Sequence, residues 1–147
     1  MRRGEALALR WTDVDFTRST IFIARSMNGS GQLGPTKTRK SRPISIDAAT
    51  VELLRGLSRE GDLIFDITPH ALTREFIRTI ERAGVPRIRL HDLRHMHATT
   101  LLRAGVPVLV VSKRLGHSKV SITMDVYAHV LPSDDQDAAE VMGSAFA

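Results

Sequence analysis

At 147 residues the chain is long enough to bury a core within one domain. It contains no cysteine, which excludes a disulfide framework, a thiolate nucleophile and cysteine-bound zinc, and no apolar run approaches the roughly 20 residues a membrane span needs. The formal net charge is +5, but residues 1–132 hold 21 basic against 12 acidic side chains, a net of +9, and 17 of the 21 are arginine. Arginine's planar fork suits phosphate, although composition alone leaves a polyanionic partner and a merely solvated basic surface equally open. Met1-Arg2-Arg3 leads directly into a charged amphipathic segment, with no signal-peptide pattern, so the simplest reading is a cytoplasmic protein.

Gly4 to Leu9 reads as the continuation of a helix already running where the chain starts. The β-rich run Thr20–Ala24, the loop Asn28-Gly29-Ser30-Gly31 and the run Arg42–Ile46 predict a hairpin or small antiparallel sheet. Asp47 caps a helix through about Leu57, with Val51, Leu54 and Leu57 on its buried face. Thr68-Pro69 opens the next helix and Gly84 closes it, with Leu72, Phe76 and Ile80 as its apolar stripe. Further helices run from near His91 to Ala104 and from Pro107 to Leu115, where Gly116 stops the second. Leu93 and Leu101 are expected to face the core from the first of these. Ile122, Val126 and Val130 form the stripe of a helix that carries Tyr127, and Ser133 caps a final acidic helix from Asp134 to about Met142. The expected fold is α+β and mainly helical, with a small antiparallel sheet.

Three features gain meaning from their order. His91 and Arg94 stand three apart at a helix start, on neighbouring positions of one face. His117 follows a helix-ending glycine, and Tyr127, the single tyrosine, lies ten residues further on. A phenol can act as a nucleophile, but with an ordinary pKa of about 10 it needs nearby cations or a proton acceptor. Separately, each is more often a capping residue, a loop histidine or a core-edge tyrosine. Together they point to breaking and rejoining a nucleic-acid backbone. A metal site is not assigned: His91 and His95 are four apart, but position 92 is Asp where a His-Glu-x-x-His motif has Glu, and Arg94 between them repels a cation. His95 and His97 read instead as structural groups hydrogen-bonded beneath the site. A helix-turn-helix across Ala104 to the segment after Gly116 fits locally, but leaves Arg2, Lys37 and His91 unexplained.

The segments Met1–Trp11, Pro35-Thr36-Lys37-Thr38, His91-Asp92-Leu93-Arg94-His95, Leu115-Gly116-His117 and Tyr127-Ala128-His129, in this order, resemble the tyrosine recombinase, or phage integrase, family over nearly the whole chain. The resemblance implies a tyrosine recombinase catalytic domain over residues 1–147 that is truncated at its amino end and lacks the family's DNA-clamping domain. It implies that Arg2 and Arg94 clamp the scissile phosphate, that Lys37 protonates the departing 5′ oxygen, and that His91 and His117 move protons around the phosphate. Tyr127 is then the nucleophile, forming a 3′-phosphotyrosyl link, with Glu5 and His95 as supporting groups. Mg²⁺ and nucleotide cofactors are not called for, since cationic side chains neutralise the phosphorus centre and the phosphotyrosine retains the ester's energy. Double-stranded DNA is the implied partner, with self-assembly through the carboxyl-terminal helix, in a nucleoid-associated bacterial or phage setting. The alternative is a catalytically silent DNA-binding remnant.

Overall fold

The structure, a computed structural model, describes residues 1–37, 40–130 and 135–145. Its first helix, α1 (Arg3–Leu7), is a single turn and a half, followed by a 3-10 turn at Trp11–Asp13. Strands β1 (Val14–Asp15), β2 (Thr20–Ile23) and β5 (Arg42–Ser45) form an antiparallel sheet in the order β1-β2-β5. The expected pairing of the two β-rich runs is present, with Thr20 opposite Ser45 and Ile23 opposite Arg42. Alternation puts Ile21, Ile23 and Ile44 inward and leaves Phe22 and Pro43 outward. Pro43 is tolerated because β5 is an edge strand.

The first β-rich run does not stop at Ala24. It continues into a second, separate hairpin of β3 (Arg25–Met27) and β4 (Leu33–Pro35), whose turn is closed by the Asn28 side chain accepting from Ser30 and Gln32 amides. This hairpin packs under α1 so closely that a Cβ on Gly4 would overlap the Met27 carbonyl oxygen. Only glycine at position 4 lets the first helix lie there, one residue before Glu5.

Helix α2 (Ala48–Arg55) is capped by Asp47, whose carboxylate accepts the Thr50 amide, and it buries Val51 and Leu54. Leu57 lies past its end and is 40% exposed, outside the predicted buried face. Helix α3 (Pro69–Ala83) starts at its Thr68 cap and ends at Gly84, which takes a left-handed φ of 64°. Helices α4 (Asp92–Arg103), α5 (Val108–Leu115) and α6 (Ser121–Val130) pack together, and α7 (Asp135–Ala145) follows. The predicted cap of α7, Ser133, lies outside the described residues. The α+β, mainly helical expectation holds, and among the described residues no helix is long and apolar enough to cross a membrane.

Two apolar clusters organise the molecule. One joins Leu9, Ile21, Ile23, Ile44, Leu54 and Ile64 beneath the sheet, and the other joins Ala98, Leu102, Val111 and Leu115 among α4 to α6. Hydrogen bonds link the two halves where α1, β5 and the carboxyl end of α5 meet. Two periodicity readings are corrected here. On α4, Leu93 is 42% exposed while Arg94, Ala98 and Leu102 face inward; on α6, Ile122 is 43% exposed while Thr123 is fully buried. In both helices a polar residue occupies the inward position because an acceptor or donor waits for it there.

Candidate active site

The end of α5 is the anchor. Gly116 takes a left-handed φ of 67°, breaking the helix and leaving its last carbonyls without intrahelical partners. Helix carbonyl ends carry partial negative charge and attract cations. Arg94 reaches across from α4 and donates through Nη2 to the Leu115 carbonyl at 2.6 Å. Arg2 donates through Nη2 to the next carbonyl, that of Gly116, at 3.0 Å. Two guanidiniums separated by 92 positions in sequence are thereby fixed side by side.

Glu5 holds the first of them from behind. It is 1% exposed, and its carboxylate accepts the Arg2 amide at 2.8 Å and Arg2 Nη1 at 2.9 Å. The same two oxygens accept Nη1 and Nη2 of Arg42, at 3.2 and 2.8 Å. Burial works to raise the Glu5 pKa, but the hydrogen bonds and charge of Arg42 and Arg2 outweigh it and hold the carboxyl at about 2. Arg94 has no such counter-ion. Burial, then the charge of Arg2, lower its pKa to about 10 against the opposing pull of Glu5, with Arg42 adding a smaller lowering. Its Nη1 is buried and has no hydrogen-bond partner among the described residues.

His117 follows directly on the anchor, and its Nδ1 lies 2.7 Å from the Thr123 hydroxyl on α6. Burial, then repulsion from Arg94, Arg2, His95 and Arg42, depresses its pKa to about 4. The ring is neutral at pH 7 in the folded chain. An unfolded chain takes up this proton near 6.5, so the stability that His117 contributes is complete above that pH and is lost as pH falls toward 4. Histidine ¹H–¹³C NMR titration is expected to place the His117 midpoint near 4, and Arg94→Met to raise it; a midpoint unmoved near 6.5 would contradict this electrostatic picture.

The remaining candidates stand around this centre at different distances. Thr36 is buried and its hydroxyl donates to the Lys40 carbonyl, while Lys37 beside it is exposed. Lys37 lines the same open cavity of about 950 Å³ as Arg2, Arg42, Lys113, Arg114 and His117. His91 and Arg94 line a smaller neighbouring pocket of about 350 Å³. His91 sits in the turn just before α4, held by Asp92 accepting from Arg89, and its pKa is lowered by burial and by His95 and Arg94. Its ring meets His95 edge-on at 5.1 Å between centroids. His95 and His97 are not beneath the site as expected: both are exposed, and His97 accepts Arg114 Nε at 3.2 Å. Tyr127 lies one helical turn beyond Thr123 on α6, is 38% exposed, and lines neither cavity.

Arg42, Arg114 and Thr123 were missed by sequence reasoning. Arg114 donates to the Ser45 carbonyl at 2.9 Å, tying α5 to the edge strand β5. The legible signal was an arginine opening an otherwise alternating strand at position 42, next to a proline. Nothing local to positions 114 or 123 distinguishes them.

A family model described as the phage integrase family matches residues 1–134. The chain is 28% identical to a tyrosine recombinase XerC-like protein of Caldanaerobacter subterraneus subsp. tengcongensis, over 99% of this chain and 46% of that protein. The chain thus spans about half the length of that relative. Its fold superimposes on the Tn1549 transposon integrase in complex with transposon right end DNA with a TM-score of 0.81, at 21% identity, over 99% of this chain and 55% of that one. It also superimposes on the catalytic domain of bacteriophage HP1 integrase with a TM-score of 0.67, at 26% identity, over 95% of this chain and 73% of that one.

Proposed function

The chain belongs to the phage integrase family, and from that premise we propose that it carries the catalytic centre of a tyrosine recombinase, which cleaves and rejoins double-stranded DNA through a 3′-phosphotyrosyl intermediate. One observation carries this reading: Arg2 and Arg94 stand on adjacent carbonyls beside His117, with Arg94 Nη1 buried and unpartnered. Three clustered guanidiniums against the single carboxylate of Glu5 leave an excess of positive charge that an anion such as a phosphodiester would neutralise.

In this reading the Tyr127 oxygen attacks phosphorus while Arg2 and Arg94 neutralise the charge growing on the non-bridging oxygens. The P–O5′ bond breaks, its electron pair leaves with the 5′ oxygen, and Lys37 supplies the proton that makes a 5′ hydroxyl. His91 and His117 hold and pass protons at the phosphate, His117 entering as the neutral ring that takes up the proton Tyr127 loses. Exposure of Tyr127 outside the two cavities fits a nucleophile on a helix that shifts toward bound DNA. We further read α7, with Ala139 and Met142 exposed, as the contact for self-assembly on DNA.

The test incubates the 147-residue chain with a pool of nicked duplexes randomised at the centre, in EDTA, and reads binding by gel shift and covalent DNA on a denaturing gel. Binding is expected to weaken steeply with salt, by roughly 0.9 in the logarithmic slope for each phosphate neutralised, and to stay dimeric or higher only while residues 135–145 are present. A covalent band that EDTA leaves intact supports cleavage. Salt-sensitive binding with no band favours the silent DNA-binding remnant, and salt-independent binding contradicts both.

A further inference from the structure

Three successive carbonyls at the end of α5 each accept a different guanidinium. The Arg114 carbonyl takes Arg42 Nε at 3.2 Å, Leu115 takes Arg94 Nη2 at 2.6 Å, and Gly116 takes Arg2 Nη2 at 3.0 Å. Arg94 and Arg2 already have roles in the proposed reaction. Arg42 does not: it comes from the edge strand β5, and its Nε, Nη1 and Nη2 each donate to a protein group.

Those contacts give Arg42 a particular place. With Nε it grips the helix end, and with both Nη atoms it grips Glu5, whose same oxygens hold the backbone and side chain of Arg2. Arg42 therefore forms a second bridge, beside that of Arg2 itself, between the Glu5 carboxylate and the carbonyl row, and it holds both Glu5 oxygens at once. Its side chain is 11% exposed, and the space it fills is specific, since a Cβ on Gly116 would lie 2.6 Å from its Cζ and Nη1. Glycine at 116 thus answers two demands, the left-handed backbone and the closeness of this guanidinium.

We propose that Arg42 is a positioning residue for the phosphate-binding arginines: it fixes Glu5, and through Glu5 the orientation of Arg2 against the α5 carbonyls, without itself touching the DNA. The proposal rests on the cleavage reading for its consequence, but its geometry is testable without it. Lysine could keep the charge at 42 but has no planar fork to bind both Glu5 oxygens and a carbonyl together. A misplacement near 1 Å in a group of this kind slows chemistry by about 10²-fold.

The experiment compares the 147-residue wild type with Arg42→Gln, Arg42→Lys and Gly116→Ala, the last of which displaces Arg42 without removing it. Arginine-selective ¹⁵N NMR reads rotation of the Arg2 guanidinium, with exposed Arg55 as the control. Hindered, separately resolved Arg2 Nη protons are expected in the wild type and averaged ones in every folded variant. On the randomised nicked duplexes, Arg42→Gln and Arg42→Lys are expected to form the covalent band about 10²-fold more slowly, with DNA affinity within about threefold of wild type. Unchanged Arg2 signals in any folded variant overturn the proposal, as does cleavage that falls only in step with binding. If the wild type forms no band, the cleavage reading fails, and the NMR comparison alone still decides whether Arg42 positions Arg2.

Discussion

Tyr127→Phe is expected to abolish the covalent DNA band while leaving DNA affinity unchanged within about twofold, because it removes one oxygen and keeps the ring on α6. The side chain is partly exposed and lies outside both apolar clusters, so the loss of a hydroxyl there leaves the fold intact. Arg94→Ala is expected to slow the same step by about 10²–10³-fold or more, the range seen when a preorganised donor to transition-state charge is lost. Its effect on binding is expected to be much smaller, because the charge it meets grows only as the phosphorus becomes five-coordinate. Denaturing gels and gel shifts on the same nicked duplexes separate the two effects. A band that survives in Tyr127→Phe moves the nucleophile elsewhere, and equal losses of rate and affinity in Arg94→Ala make that arginine a binding group only.

Glu5→Ala is expected to be the most destabilising substitution at the site, by about 3–5 kcal/mol, because it strands two partly buried guanidiniums without their shared carboxylate. Arg2 and Arg42 would then repel each other at the α5 carbonyls, where both now donate. Thermal unfolding is expected to fall by roughly 10 °C or more for a chain of this size. The pH dependence has a definite sign. With a folded pKa of about 2 against an ordinary 4.5, Glu5 contributes stability that is complete above 4.5 and is lost as pH falls toward 2. Wild type is therefore expected to lose stability through that acid window, and Glu5→Ala to lose less. Equal acid sensitivity in the two would show that the carboxylate is not the buried counter-ion the geometry describes.

The sequence alone determined the elements wherever a local device fixes them. Asp47 and Thr68-Pro69 start helices through their own side chains, Gly84 and Gly116 end them through left-handed backbone, and alternation in Ile21, Ile23 and Ile44 sets the sheet's inner face. The order of the motifs also sufficed to name the family. Tertiary structure decided which polar residues turn inward, and the physical reason is that a partner far away in sequence offsets the cost of burying them. Periodicity put Leu93 and Ile122 inside, yet Arg94 is inside because the Leu115 carbonyl receives it, and Thr123 because it meets His117. For the same reason the strand pattern marks the position of Arg42 but not its role. Its meaning lies in Glu5, 37 positions before it, and in the Arg114 carbonyl, 72 positions after, and only the folded chain brings those acceptors to one guanidinium.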